Sequence, residues 1–234
     1  MHNKFYVLFN GITDLELGIK PIRRPNFPSL KKIYNEHPVD GKDGSEYEFL
    51  GYEDRILTIE YNFIDRKNIY DKVRQITKWL NNIQDFKLCL GDDPEYFYIV
   101  KKLEYDDITR KFKRVGNFKV TFTLEPFAYQ FSTNENFEIK NNEVIYNNGD
   151  FESKPIIEIE GNGYVKLWVN ENLIELNIAD IVTINSKLEL CFKNKIIEPA
   201  RKKGDFPILK MEFNTIRWEG NVRRVTINPN CIYY

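Results

Sequence analysis

Alanine is almost absent from this chain. Ala128, Ala179 and Ala200 stand alone against 14 Tyr, 17 Phe and 3 Trp in 234 residues. Alanine is the best helix former, whereas aromatic side chains suit pleated, half-buried surfaces. A chain of this make-up is built mainly from strands. Its length fits one large or two small domains with a real core. With 34 basic and 35 acidic residues the net charge is −1. That balance argues against wrapping nucleic acid, which takes clustered cations. No stretch approaches the roughly 18 apolar residues of a membrane span. The best run, Phe5-Tyr6-Val7-Leu8-Phe9, is too short for a signal peptide and no small-residue cleavage site follows it. The expectation is a chain neither secreted by the usual route nor anchored.

Two stretches alternate cleanly. Leu57, Ile59, Tyr61 and Phe63 interleave with Thr58, Glu60 and Asn62; Phe118, Val120, Phe122 and Leu124 interleave with Asn117, Lys119, Thr121, Thr123 and Glu125. Each predicts a strand with one buried face, and Pro126 should stop the second. Shorter strands are expected at 5–9, 46–52, 87–90, 96–103, 156–160, 165–169, 181–184, 188–192, 209–213 and 223–227. One helix is predicted over 69–83. Ile69, Val73, Ile76, Leu80 and Ile83 recur at helical spacing beside Trp79, with Asn68 as N-cap and Asp71 in the first turn.

The character changes after Pro126. Polar, turn-rich runs (Ser132 to Asn136, Asn141-Asn142, Asn147-Asn148-Gly149) punctuate the chain, and close-spaced strands follow. Gly161-Asn162-Gly163 reads as a tight hairpin. A boundary near 127–136 gives an α+β domain at 1–130 and an all-β sandwich of jelly-roll type at 131–234.

No catalytic constellation emerges. His2 and His37 are the two histidines, and neither has a nucleophile and an orienting acid nearby in sequence. Asp92-Asp93-Pro94 and Asp106-Asp107 could in principle pair carboxylates across a sugar, but they read as turns. Asp40-Gly41-Lys42-Asp43-Gly44 lacks the ligand alternation of a calcium loop. Gly161-x-Gly163 opens no helix and makes no phosphate cradle. Cys89, Cys191 and Cys231 are far apart and odd in number, so neither disulfides nor zinc are expected and they read as buried thiols of a reducing compartment. Arg201-Lys202-Lys203-Gly204 reads as a solvated loop. Trp168 and Trp218 could stack on a sugar, yet both sit in strand-like segments where core packing is the plainer role. No cofactor or metal is implied, and function should lie in surfaces that hold other proteins.

An ordered set of short motifs points further. Phe9-Asn10-Gly11 is followed by Leu17-Gly18-Ile19, Arg23-Arg24-Pro25, Gly41-Lys42-Asp43-Gly44 and an aromatic strand. Then come Ile76-Thr77-Lys78-Trp79-Leu80, Leu88-x-Leu90, Asp92-Asp93-Pro94-Glu95, Tyr96-Phe97-Tyr98, Phe118-x-Val120-x-Phe122 and Pro126-Phe127-x-Tyr129. More loosely, Asn148-Gly149, Pro155-Ile156-Ile157-x-Ile159-x-Gly161 and Asn214-x-Ile216…Gly220 continue the series. In this order the chain resembles the distal tail protein (Dit) family of long-tailed, siphovirus-type phages.

The resemblance implies a structural hub and no enzyme. Six copies form a ring at the virion tail tip, assembled in the bacterial host. The first domain makes the ring and its hole, and a galectin-like second domain projects outward. The ring joins the tail tube protein to a tail-tip protein (often a tail-associated lysin) and to receptor-binding proteins. The tape measure and DNA pass through without specific binding, and no membrane is involved. The motif stretches holding Phe9, Gly11, Arg23, Arg24, Asp43 and Gly44 are the expected ring-interface region. Galectin sugar sites use a histidine, and residues 131–234 contain none. The competing readings are a glycan-binding adhesion module acting through Trp168 or Trp218, and a wall hydrolase acting through Asp92 or Asp93.

Overall fold

The computed structural model describes residues 5–41, 43–65, 68–112, 114–193 and 202–234. His2, Lys42, Ala200 and Arg201 lie outside the described residues. The fold is mainly β, and the chain divides into two units, Met1–Ala128 and Tyr129–Tyr234.

The first unit contains β1 (Val7–Phe9), β2 (Ile12–Thr13), β3 (Ile19–Pro21), β4 (Lys32–Pro38), β5 (Ser45–Tyr52) and β6 (Arg55–Ile64). After these come α1 (Ile69–Asn81), β7 (Lys87–Leu90), β8 (Tyr96–Tyr105), β9 (Thr109–Phe112) and β10 (Val115–Gln130). Eight of the strands form one sheet in the order β2-β1-β7-β8-β10-β6-β3, with β9 alongside β10. The two alternating stretches pair with each other: Phe118 lies opposite Tyr61, Val120 opposite Ile59 and Phe122 opposite Leu57. All six side chains are buried, so each strand's apolar set covers the other's on the core face. Helix α1 lies on that face through Ile69, Ile76, Trp79 and Leu80, with the Trp79 ring edge-on to Phe9 and Tyr61. Its N-cap is Asn68, whose side chain accepts from the Tyr70 amide at 3.1 Å. The helix ends at Asn81, two residues before Ile83, because the Asn82 amide caps back onto Lys78 and the backbone leaves helical angles there.

Pro126 does not stop its strand. β10 runs on to Gln130, since its ladder with β6 has already ended at the Leu124–Arg55 pair and the missing proline N–H is not needed on that side.

The second unit contains β11 (Phe137–Ile139), β12 (Glu143–Asn147), β13 (Ile156–Val169), β14 (Asn172–Ile178), β15 (Ile181–Asn185), β16 (Leu190–Lys193), β17 (Lys202–Lys203) and β18 (Glu212–Asn228). All eight belong to one connected sheet, ordered β11-β18-β13-β14-β17 with β12 on β18 and β15-β16 on β13. Gly161-Asn162-Gly163 is not a hairpin: it lies inside β13, where the register against β18 slips twice. The expected short strands at 156–160 and 165–169 are therefore one bent strand, and the strand expected at 223–227 is the far end of β18. Leu209 makes only an isolated bridge to Ser153. The tight turn falls at Asn170-Glu171, with Val169 facing Asn172 across it and Asn170 at φ 55°. A Cβ on Gly161 would fall 2.5 Å from the Asn221 carbonyl oxygen, and one on Gly220 2.5 Å from that of Tyr164. Only glycine lets the two backbones approach so closely at a bulge. Odd residues on both sides of the bend (Ile157, Ile159, then Val165, Leu167, Val169) join a single core cluster with Ile174, Ile184, Ile216 and Val225. Bulged strands that turn a corner let one sheet enclose such a core.

A candidate assembly surface

Strands β4 and β5 form a two-stranded sheet of their own. Their register puts Tyr34 opposite Phe49 and Glu36 opposite Tyr47 on one face, and Asn35 opposite Glu48 and His37 opposite Glu46 on the other. The first face is aromatic: Tyr34 packs edge-on to Tyr47 and Phe49, and the Tyr47 hydroxyl donates to Glu36 at 3.2 Å. The second is polar, with His37 Nε2 at 3.4 Å from Glu48 and 3.2 Å from the Asn35 amide. Neither face is covered. Tyr34 is 50% exposed, Tyr47 63% and Phe49 50%. Asp43 and Gly44 sit in the loop at the far end, where Gly41 and Gly44 take φ of +76° and +86°.

The base of the hairpin is rooted. Phe49, Tyr52 and Phe127 form an edge-on ring chain with 5.2 Å centroid spacings. Arg55, 4% exposed, donates to the carbonyls of Pro126 (2.6 Å) and Pro28 (3.3 Å) and lies over the rings of Phe27 and Tyr98. Burial lowers its pKa. Sequence reasoning passed over Arg55, since a cation heading a strand gives no signal of burial. It also passed over β4, because the bulge between Ile33 and Tyr34 breaks the two-residue period.

The remaining expected interface positions scatter over the first unit. Phe9 is fully buried, packed edge-on to Trp79 and Phe122, and offers a partner no side-chain surface. Asn10 and Gly11, at φ 53° and 70°, make the two-residue turn between β1 and β2 that Asn-Gly favours. Arg23 lies 3.9 Å from Glu60 and Arg24 3.3 Å from Asp92, all largely exposed. Such pairs contribute little to stability. Asp14 is buried with neither carboxylate oxygen hydrogen-bonded. Desolvation pushes its pKa up to about 6. The Tyr61 hydroxyl, also buried and unbonded, is driven well above its ordinary range by burial and by the Asp14 charge.

The candidate chemical groups are engaged elsewhere. Asp92 and Asp93 lie in the turn between β7 and β8, and Asp106-Asp107 connect β8 to β9. The three cysteines are free, and burial raises each thiol, Cys89 to about 11. Trp168 carries the Arg217 guanidinium 3.9 Å from its ring centroid, and Trp218 packs against the core of the second unit. Among the described residues no group of three or more His, Cys, Asp or Glu could hold a metal ion, and no helix is long and apolar enough to cross a membrane.

Residues 12–124 match the family described as the phage tail protein RIFT-related domain. The match falls within the first unit. Search of the curated proteins finds no relative of the chain. Among solved structures, the chain is similar to the SPP1 Dit (gp 19.1) protein, described there as a paradigm of hub adsorption apparatus in phages infecting Gram-positive bacteria. The TM-score is 0.67 at 12% identity, over 96% of this chain and 97% of that one. It is also similar to a chain of the phage P2 baseplate in its activated conformation with calcium, with a TM-score of 0.50 at 10% identity over 97% of each. At such identities the likeness is one of fold. The RIFT-related tail family and these matched structures are tail and baseplate proteins and not enzymes. In the first unit the bare hairpin lies between β3 and β6, within the residues that match the family.

Proposed function

We propose that the chain is a structural hub of a phage tail: six copies close into a ring at the virion tail tip. The observation that carries this reading is the amphipathic β4–β5 hairpin, aromatic on one face and uncovered on both. An isolated two-stranded hairpin is marginal in water, and bare apolar faces mark protein contacts. Identical subunits close a ring when one patch meets a different patch on the next copy, and a projecting hairpin supplies one of the two. The tail-domain family and the likeness to the SPP1 Dit fold support the setting.

In this reading residues 1–130 build the ring and 131–234, a galectin-like sandwich, face outward. The exposed positions Gly11, Arg23, Arg24, Asp43 and Gly44 belong to the ring surface. The hub joins the tail tube protein to the tail-tip protein or tail-associated lysin, and to receptor-binding proteins where present. Tape measure and DNA pass through the hole, and a net charge of −1 suits passage without grip. Assembly takes place in the bacterial host.

Native mass spectrometry and negative-stain images of the purified chain test this. Six-fold rings, single or stacked in pairs, are expected. A strictly monomeric species at high concentration, unchanged when tail tube protein is added, overturns it.

A further inference from the structure

The first unit carries a second feature with the opposite character to the hairpin. Along the outer side of α1, Val73, Arg74, Thr77, Lys78, Asn81 and Asn82 line a groove of about 410 Å³. Its rim holds two cations and no acid. Arg74 is held by Asp71 at 2.7 Å, while Lys78 has no ion pair among the described residues. The aromatic face of the hairpin holds one carboxylate, Glu36, beside Tyr34, Tyr47 and Phe49. The hairpin adds Asp40 and Asp43 in its loop, flanking Lys42 in sequence, and Glu46 and Glu48 on its polar face, against Lys32 at its base, and so carries five acids to two lysines. One element is acidic and aromatic, the other basic with a recess.

We infer that the hairpin of one copy docks its aromatic face into the α1 groove of the next, with Glu36 meeting Lys78 at the rim. This rests on the ring reading and names the two patches that would make its interface. Such a pairing is heterologous, as ring closure demands. Aromatic anchors in a recess contribute most of the affinity. The rim charges set register and exclude the reversed pairing.

The test places the photo-crosslinker p-benzoylphenylalanine at position 47, an exposed site, and mixes light and isotope-labelled chains before irradiation. Crosslinks from position 47 to residues 73–82 of a differently labelled copy are expected. Lys78→Glu should weaken self-association about tenfold, and Glu36→Lys in the same chain should restore it. If oligomers form while the crosslinks land elsewhere, or Lys78→Glu leaves assembly unchanged, the docking is overturned and the ring reading stands. Crosslinks to a co-purified tail protein in place of α1 assign the hairpin to that partner and overturn it likewise. If the wild-type chain does not self-associate at all, both fall together.

Discussion

Asn10 and Trp79 are joined in both directions. The Asn10 amide donates to the Trp79 carbonyl at 3.0 Å, and the Trp79 indole donates to the carbonyl of Phe9, the neighbour of Asn10, at 2.9 Å. Asn10 also donates to the Asn82 carbonyl and accepts from the amides of Gln84 and Asp85. One side chain at a hairpin tip thus satisfies carbonyls at the end of α1 and amides of the segment after it, groups that a helix terminus otherwise leaves unpaired.

Removing that side chain should unfasten the helix from the β1–β2 turn. Asn10→Gly keeps the left-handed turn and loses the hydrogen bonds; a cost of about 2–3 kcal/mol is expected. Asn10→Ala adds the strain of a left-handed residue and should cost about 1 kcal/mol more. Urea denaturation of the two variants separates these contributions, and equal losses would refute the assignment.

Asp14 predicts a pH dependence of opposite sign to the usual buried acid in an ion pair. Its folded-state pKa of about 6 lies above the ordinary 3.8, so the folded state binds more protons between those values. Stability falls as pH rises through that window, and the loss is complete above about pH 6. Asp14→Asn should therefore stabilise by about 2 kcal/mol at pH 8 and by nothing at pH 3. Denaturation midpoints at both pH values check this.

Arg55 should resist replacement. Arg55→Lys keeps the charge but not the planar fork that reaches two carbonyls and two rings, and a loss of about 2–3 kcal/mol is expected. The loss should be accompanied by faster proteolysis within 27–52, read by mass spectrometry. Cleavage confined to other loops would show that the hairpin base is held by something else.

Trp218→Ala should cost about 2–3 kcal/mol as a half-buried version of a large-to-small core change, whereas Trp168→Ala, which loses the ring under Arg217 outside the core cluster, should cost only about 1 kcal/mol. A glycan array should give no signal that either variant abolishes. A sugar bound by the wild-type chain and lost in both would restore the adhesion reading.

Much of this architecture was legible where periodicity was intact. The Leu57–Phe63 and Asn117–Glu125 alternations located β6 and β10 and their buried faces, because a period of two fixes which side is wet. The stripe from Ile69 to Leu80 located α1, with its N-cap. Legibility failed where a bulge interrupts the period. The slip between Ile33 and Tyr34 hides β4, and Gly161-Asn162-Gly163 has the composition of a turn although its glycines serve a close approach inside a strand. It failed too where a polar residue acts at long range. Asn10 caps a helix 69 residues away in sequence, Arg55 reaches 71 residues to Pro126, and nothing local announces either. The hairpin as a candidate surface could have been suspected from Tyr34, Tyr47 and Phe49, but its exposure could not.

The long partnership of β13 with β18 has a consequence for biogenesis. Translation delivers β13 well before β18, so a nascent second unit carries the whole flank of β13 from Ile156 to Val169 open until residue 228 leaves the ribosome. Pairing at such sequence separation is slow, and an open strand edge invites the wrong neighbour. In a host making many copies at once, polysome crowding would put those edges side by side, and yield should respond more to synthesis rate than to the stability of the finished fold.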